Sequence, residues 1–312
     1  MHYRYKVYTR RLLLATGIGL LALVLSPLMF YGWRCLLRPS RTDMEQVLFR
    51  GIVYKRHALS TPRPAMLHIV TIDLKTSGIK PLVTPGAPKP SDRETSARKT
   101  SDFLKEFKLQ LAINASYFHH FHEKSPWDYY PHSGDPSYPI GEAISNGNRY
   151  SAPEANRPVL CFSAQNRVQI LKTEKCPEGT AHGVAGDQIL VDGGQAIAQV
   201  PAQGANDNNS ADDKPYPRVA AAVNREGTKL WLIAVDGKQP LYSEGITIAE
   251  LRKIVTDLGV YAALNLDGGG STTLVMSTNQ GSRVLNAPIH TRIPMRERPV
   301  GNHLGFYASP QE

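Results

Sequence analysis

Leu264-Asn265-Leu266-Asp267-Gly268-Gly269-Gly270-Ser271-Thr272-Thr273 is the most constrained stretch of this 312-residue chain. An apolar run meets an acid, three glycines and three hydroxyl residues, and a second apolar run begins at Thr273. Three consecutive glycines cost backbone entropy, so the position demands small size or unusual dihedrals. One reading places Asp267 at a strand end beside a nest of N–H donors from Gly268, Gly269, Gly270 and Ser271, suited to an anion. The other is a tight turn. A dinucleotide fingerprint does not fit, because Thr273 stands where the third glycine belongs and no helix follows. The G-x-S-x-G nucleophile elbow is also absent.

Outward from this stretch the last third is regular. Residues 219–224 and 229–235 read as apolar strands around the turn Arg225-Glu226-Gly227. Residues 247–258 predict an amphipathic helix with Thr247 and Glu250 as a capping box and Gly259 as its stop. Asp236-Gly237 after an apolar run is a hairpin signal, and Asp192-Gly193-Gly194 reads the same way. Arg218 and Arg298 are candidate forks for phosphate or carboxylate; a surface ion pair is the alternative for each.

Earlier in the chain, 47–54 and 65–74 alternate as half-buried strands. Residues 81–100 read as a loop, ending at a helix capped by Ser101 or Asp102 and carrying Phe103, Leu104 and Phe107. A strand over 110–114 leads into a polar, aromatic-rich stretch from 116 to 138, long enough for a lid or binding loop. Its His119, His120, His122 and His132 suit either a metal or a solvated loop. A hairpin is expected over 159–171 and a short strand over 188–192. The segment 201–217, with no large apolar side chain before Tyr216, should be exposed. These elements predict one α+β domain of largely antiparallel sheet with a few packed helices, spanning 42–312.

Composition agrees with a globular chain: 41% hydrophobic and 20% charged. The net charge of +9 is local, because residues 1–41 hold seven Lys/Arg and no acid, leaving 29 basic against 27 acidic residues downstream. A nucleic-acid partner is therefore not indicated. Arg4, Lys6, Arg10 and Arg11 precede an uncharged run from Leu12 to Trp33, roughly 33 Å as a helix and enough to cross a bilayer core. A transmembrane anchor over 12–33, with the rest exported, is the expectation; a cleaved signal peptide is the alternative. Cys161 and Cys176 can pair in an oxidising compartment or remain separate thiols, and no Cys/His spacing matches a zinc site.

One ordered set of segments resembles the phosphodiester glycosidase family. It comprises Ala112-Ile113-Asn114-Ala115-Ser116-Tyr117-Phe118, Tyr216-Pro217-Arg218-Val219-Ala220, Ala234-Val235-Asp236-Gly237, Gly245-Ile246-Thr247 with Glu250-Leu251, Leu264 through Thr273, and Arg298-Pro299-Val300-Gly301-Asn302. The family usually has Asn-Gly and two aromatics where this chain has Asn114-Ala115-Ser116-Tyr117-Phe118, and Thr-Ala where it has Val219-Ala220. The 119–138 insertion is expected to be particular to this branch of the family. The resemblance implies hydrolysis of a sugar-1-phosphodiester and a phosphodiester-linked sugar or glycan as substrate; the membrane is the second expected partner, through the N-terminal apolar run. On that basis Asp267 and Asp236 are the expected catalytic carboxylates, with Glu142 in reserve. Arg218, Arg298 and the N–H groups of Gly268, Gly269, Gly270 and Ser271 would hold the phosphate, oriented by Asn114 and Asn302. No cofactor is required, and a divalent cation remains possible. A glycan-binding assembly protein and a phosphodiesterase cutting P–O are the other classes.

Overall fold

The computed structural model describes residues 16, 23, 25–197 and 214–311. Half of the anchor expected over 12–33, and the polar segment from 198 to 213, lie outside the described residues. Residues 25–36 are helical, and among the described residues no helix is long and apolar enough to cross a membrane.

Three antiparallel sheets enclose the main core. The largest has eight strands in the order Met44–Phe49, Ile52–Leu59, Ala65–Asp73, Lys229–Val235, Arg218–Val223, Ala262–Leu266, Ile189–Asp192 and Gln195–Ala196. Its period-2 pattern divides two cores. Val219, Ala221 and Val223, with Leu230, Leu232, Leu264 and Leu266, face inward to the main core. Ala220, Ala222, Ile233, Val235 and Ala263 face the other way. Helix Ile248–Asp257 covers that second face through Ile248, Leu251 and Val255. Its Thr247 and Glu250 form the expected capping box. Each large apolar side chain buried this way contributes about 1.5–3 kcal/mol.

A five-stranded sheet, Gly281–Val284, Leu274–Thr278, Leu111–Asn114, His303–Tyr307 and Lys80–Val83, packs Ile113, Leu304 and Phe306 against the same main core. Helix Thr100–Glu106 lies on its outer face through Phe103 and Leu104. The third sheet, Asn148–Ser151, Ala143–Ser145, Thr180–Ala185, Val159–Ser163 and Val168–Leu171, adds Leu160, Phe162 and Val184.

The strand expected over 47–54 is two strands, because Gly51 turns the chain at φ +78°. The loop expected over 81–100 contains Lys80–Val83 and the short strand Thr95–Ser96. Neither Ser101 nor Asp102 caps the first helix: Lys99 holds the N-cap position without a side-chain bond, and Glu297 Oε2 accepts from the Ser101 N–H at 2.9 Å. A distant acid thus replaces the local cap. Asp192-Gly193-Gly194 does turn a hairpin, with Asp192 opposite Gln195. Asp236-Gly237 does not. The chain runs on into a loop, with Gly237 packed so tightly that a Cβ would lie 2.6 Å from the Pro217 nitrogen.

Cys161 and Cys176 are disulfide-bonded across 15 residues. A loop of that length gives about 3 kcal/mol of cross-link stabilisation. The Cys161→Ser/Cys176→Ser variant should lose roughly that much stability, read as a lower denaturation midpoint in urea.

Candidate active site

The glycine-rich stretch joins two sheets. Ala262–Leu266 belongs to the eight-stranded sheet and Leu274–Thr278 to the five-stranded one. Asn114, at the end of Leu111–Asn114, braces both ends of the crossing. Its Nδ2 donates to the Asp267 carbonyl, and its Oδ1 accepts from the Thr273 N–H at 3.0 Å. The Asp267 N–H donates to the Ala115 carbonyl at 2.9 Å. Asn302 fixes the next residue, its Oδ1 accepting from Ser116 N–H at 2.8 Å and its Nδ2 donating to Ser116 Oγ at 3.2 Å.

Each glycine between these braces has its own steric reason. A Cβ on Gly268 would sit 2.5 Å from the Pro217 carbonyl oxygen. On Gly269, which adopts φ +60°, it would lie 2.8 Å from the Tyr216 ring. On Gly270 it would lie 2.3 Å from Arg298 Nη2. Gly269–Ser271 form one 3-10 turn. The anion nest expected from four N–H groups is partly consumed by it, since Gly269 N–H donates to Pro217 and Ser271 N–H to Gly268.

Above the turn opens a cleft of about 470 Å³. Asp267, Gly268, Gly269, Ser271, Arg218 and Arg298 line it. Asn114, Asn302 and Gly270 stand outside its lining and act on its wall. Burial pushes the Asp267 carboxyl up to about 7. Its hydrogen bond with Ser271 and the charge of Arg298 oppose that rise, while Asp187 adds to it.

Arg298 is held on three sides. Its Nη1 donates to Ser271 Oγ at 3.1 Å, its Nε to His290 Nδ1 at 3.3 Å, and its Nη2 to Glu123. Its guanidinium lies over the Phe121 ring at 4.4 Å. Burial alone would raise the Glu123 carboxyl, but the hydrogen bond and charge of Arg298, with the His290 ring alongside, hold it down to about 2. Arg218 donates from Nε to Ile246 at 3.2 Å and from Nη2 to Lys214 at 3.1 Å. Lys238 Nζ lies 4.1 Å above the Tyr216 ring, which forms another wall.

Several cleft residues carry no distinctive local signature. Asp187 lines the cleft ion-paired to Arg157, with Lys214, Tyr117 and Tyr216 nearby in the lining. Glu123 enters from the aromatic insertion. The only sequence hint for Asp187 is its place between Gly186 and Gln188 ahead of a strand.

Two of the expected carboxylates lie elsewhere. Asp236 is sealed in the interior, where Oδ1 accepts from Asn286 Nδ2 at 3.0 Å and Ala287 N–H at 2.8 Å, and Oδ2 meets His68 Nε2 at 3.0 Å. His68 continues to the Tyr54 hydroxyl at 2.8 Å. Glu142 is also buried; it accepts from Arg149 Nε at 2.7 Å and from Cys176 N–H at 2.6 Å, bracing the disulfide. The histidines of the insertion do not converge: His122 pairs with Asp128 and His132 with Asp135. Among the described residues no three His, Cys, Asp or Glu side chains cluster as metal ligands would.

A cleft that sets a buried carboxyl beside two guanidinium groups is suited to an anionic ligand. The phosphodiester glycosidase family matches residues 107–307, and the chain belongs to that family. Its fold is shared by a protein from Synechocystis (TM-score 0.63, 16% identity), which covers 86% of this chain. This chain spans 64% of that structure's length. The fold is also shared by the catalytic domain of zebrafish N-acetylglucosamine-1-phosphodiester alpha-N-acetylglucosaminidase, auto-inhibited by its pro-peptide (TM-score 0.60, 19% identity, 88% of this chain and 92% of that one). A protein from Burkholderia pseudomallei aligns at TM-score 0.53 and 16% identity over 78% of this chain and 74% of its own. No curated protein matches the sequence significantly.

The burial of Asp236 makes a prediction of its own. Asp236→Ala leaves Asn286, the Ala287 N–H and His68 without their acceptor, at about 1–3 kcal/mol for each unsatisfied group. The variant should lose on the order of 3–5 kcal/mol of stability in a thermal melt.

Proposed function

We propose that this protein is an extracytoplasmic hydrolase that releases a sugar from a sugar-1-phosphodiester by breaking the glycosidic C–O bond. The observation that carries this reading is the buried Asp267 carboxyl, poised near neutrality between two arginines. The leaving group is a phosphate monoester whose second pKa lies near 6, so it departs with little protonation. What it needs is positive charge at its oxygens, and Arg218 and Arg298 supply that. Gly270 admits the Arg298 guanidinium to within that reach. Asp267, once ionised, faces the anomeric carbon and stabilises the oxocarbenium-like transition state. Asp187, which lines the cleft, takes the water-activating role in place of Asp236 and Glu142, which are buried outside its lining. The scheme draws on no cofactor.

Export is supported by the Cys161–Cys176 bond, which persists in oxidising compartments, and by the basic, then uncharged, N-terminal segment. Residues 42–312 would then form the hydrolase domain behind a membrane anchor.

The role of Asp267 sets a pH dependence. It must be ionised, so kcat/KM should climb as pH rises through about 7 and collapse below it. Stability should move the other way. A carboxyl raised on folding contributes stability that is complete below its unfolded pKa and lost as pH rises through its folded one. Asp267→Asn should abolish sugar release, yet melt higher than the parent at pH 8 by on the order of a few kcal/mol. Sugar release from a panel of sugar-1-phosphodiesters, in water labelled with heavy oxygen, tests the reaction. Label must enter the sugar; label in the phosphate would mean P–O cleavage and overturn the reading.

Gly270→Ala probes the arginine. The added methyl would lie 3.0 Å from the Ile289 carbonyl oxygen and would push the Arg298 guanidinium off Ser271, His290 and Glu123. Turnover should therefore fall at least tenfold, and the melting temperature should fall with it. Both are read on one purified sample.

A further inference from the structure

The N-terminal connector is bolted to the domain. Arg34 donates through Nε to the Pro294 carbonyl at 2.9 Å and through Nη2 to Met295. Arg38 stacks over the Tyr242 ring at 4.5 Å, and the Tyr242 hydroxyl donates to the Pro39 carbonyl at 2.9 Å. Arg41 bonds the carbonyls of Tyr242 and Leu59. These contacts set the direction in which the helical residues 25–36 leave the domain, with Leu28, Met29, Phe30 and Trp33 exposed.

The segments gripped by the connector present bare apolar side chains. Leu241, beside Tyr242, is 89% exposed and adopts φ +65°. A leucine in that conformation costs about 1–2 kcal/mol, and the fold accepts it with no packing in return. Met295 packs with Tyr242 in one cluster. Arg296, next in sequence, donates to the Pro126 carbonyl at 2.8 Å, which ties in the loop carrying Trp127, 83% exposed. Leu36 is 84% exposed at the connector's start. Arg34, Arg38, Arg41, Arg292 and Arg296 accompany these tips, and no acid occurs in 34–41, 239–243 or 292–296; Asp128, beside Trp127, is ion-paired to His122 and Lys124. Exposed tryptophan and leucine among arginines, beside an emerging apolar helix, is the composition of a bilayer interface.

We infer that this face rests on an anionic bilayer surface, with Trp127 and Leu241 among the headgroups, and that the enzyme therefore acts on phosphodiester-linked sugars carried in that membrane. The cleft is close by along the chain. Arg298 lies three residues beyond Met295, and Phe121 and Glu123, which touch Arg298, belong to the same insertion as Trp127. The substrate class rests on the function proposed above; the bilayer contact does not.

The test uses the full chain in vesicles containing phosphatidylglycerol, with Trp33→Phe and Trp231→Phe so that Trp127 alone fluoresces. Brominated lipid should quench Trp127 at least twofold, and aqueous acrylamide should quench it little. Quenching by acrylamide and not by bromolipid would overturn the inference, as would shielding from both, which would mean that another protein chain covers the face. Turnover is compared in parallel, between a short-chain soluble sugar-1-phosphodiester and one carrying a polyprenyl chain in the vesicle. Trp127→Ser/Leu241→Ser should lose at least fivefold on the vesicle substrate and keep its rate on the soluble one. Equal rates of the variant and the parent on the vesicle substrate would overturn the role of the face. Failure of the reaction itself would appear separately, as no turnover of either substrate by the parent.

Discussion

The carboxamide of Asn114 is the contact on which the rest of the site depends. The chain crosses from one sheet to another between Leu266 and Leu274, and a crossing leaves backbone groups without ladder partners. Asn114 supplies a donor to one end of it and an acceptor to the other. Each group left unpaired in this buried setting would cost about 1–3 kcal/mol. With its ends pinned, the intervening backbone can form a turn so tight that its three glycines touch Pro217, Tyr216 and Arg298. The glycines serve contact on three sides; only Gly269 also needs the left-handed conformation.

Two aspartates show how the surroundings decide chemistry. Asp236 and Asp267 both follow an apolar strand and precede glycine. Asp236 has two donors on one oxygen and a histidine on the other, all in the interior. Asp267 has the Ser271 hydroxyl and the more distant charge of Arg298, and a second carboxylate, Asp187, repels it. Too few donors reach it to offset desolvation, so its carboxyl titrates near neutrality. An acid left short of donors at the edge of a cleft carries a cost to stability once it is ionised.

Local pattern made much of the fold legible. The strands around Arg218, Leu232 and Leu264 announced themselves by apolar runs, and helix Ile248–Asp257 by its capping box. Asp267 stood out because strand, glycines and hydroxyls lie together in sequence, and the fold brings Arg218 and Arg298 to the same cleft. Asp236 was misleading because the groups that bury it, His68 and Asn286, lie 168 and 50 residues away. Asp187 was silent for the converse reason. It reaches the cleft because its N–H bonds the Asn265 carbonyl at 2.9 Å, a pairing between segments that no local period encodes. The first helix shows the same limit on a smaller scale, since Glu297 supplies the cap that nearby residues do not.

Arg298 shows what the aromatic insertion contributes. A guanidinium has five N–H donors, and protein acceptors take three of them through Ser271, His290 and Glu123. Those bonds fix the plane and orientation of the group before any substrate arrives, so little side-chain entropy remains to be lost on binding. The remaining donors are available to phosphate oxygens. Glu123 lowers the local positive potential while it sharpens the geometry, which trades ground-state affinity for preorganisation. For a leaving group whose negative charge grows as the bond breaks, a fixed cation discriminates better between substrate and transition state than a mobile one. The insertion thus brings Glu123 and Phe121 to Arg298 and fixes the orientation of one of the two cations at the cleft.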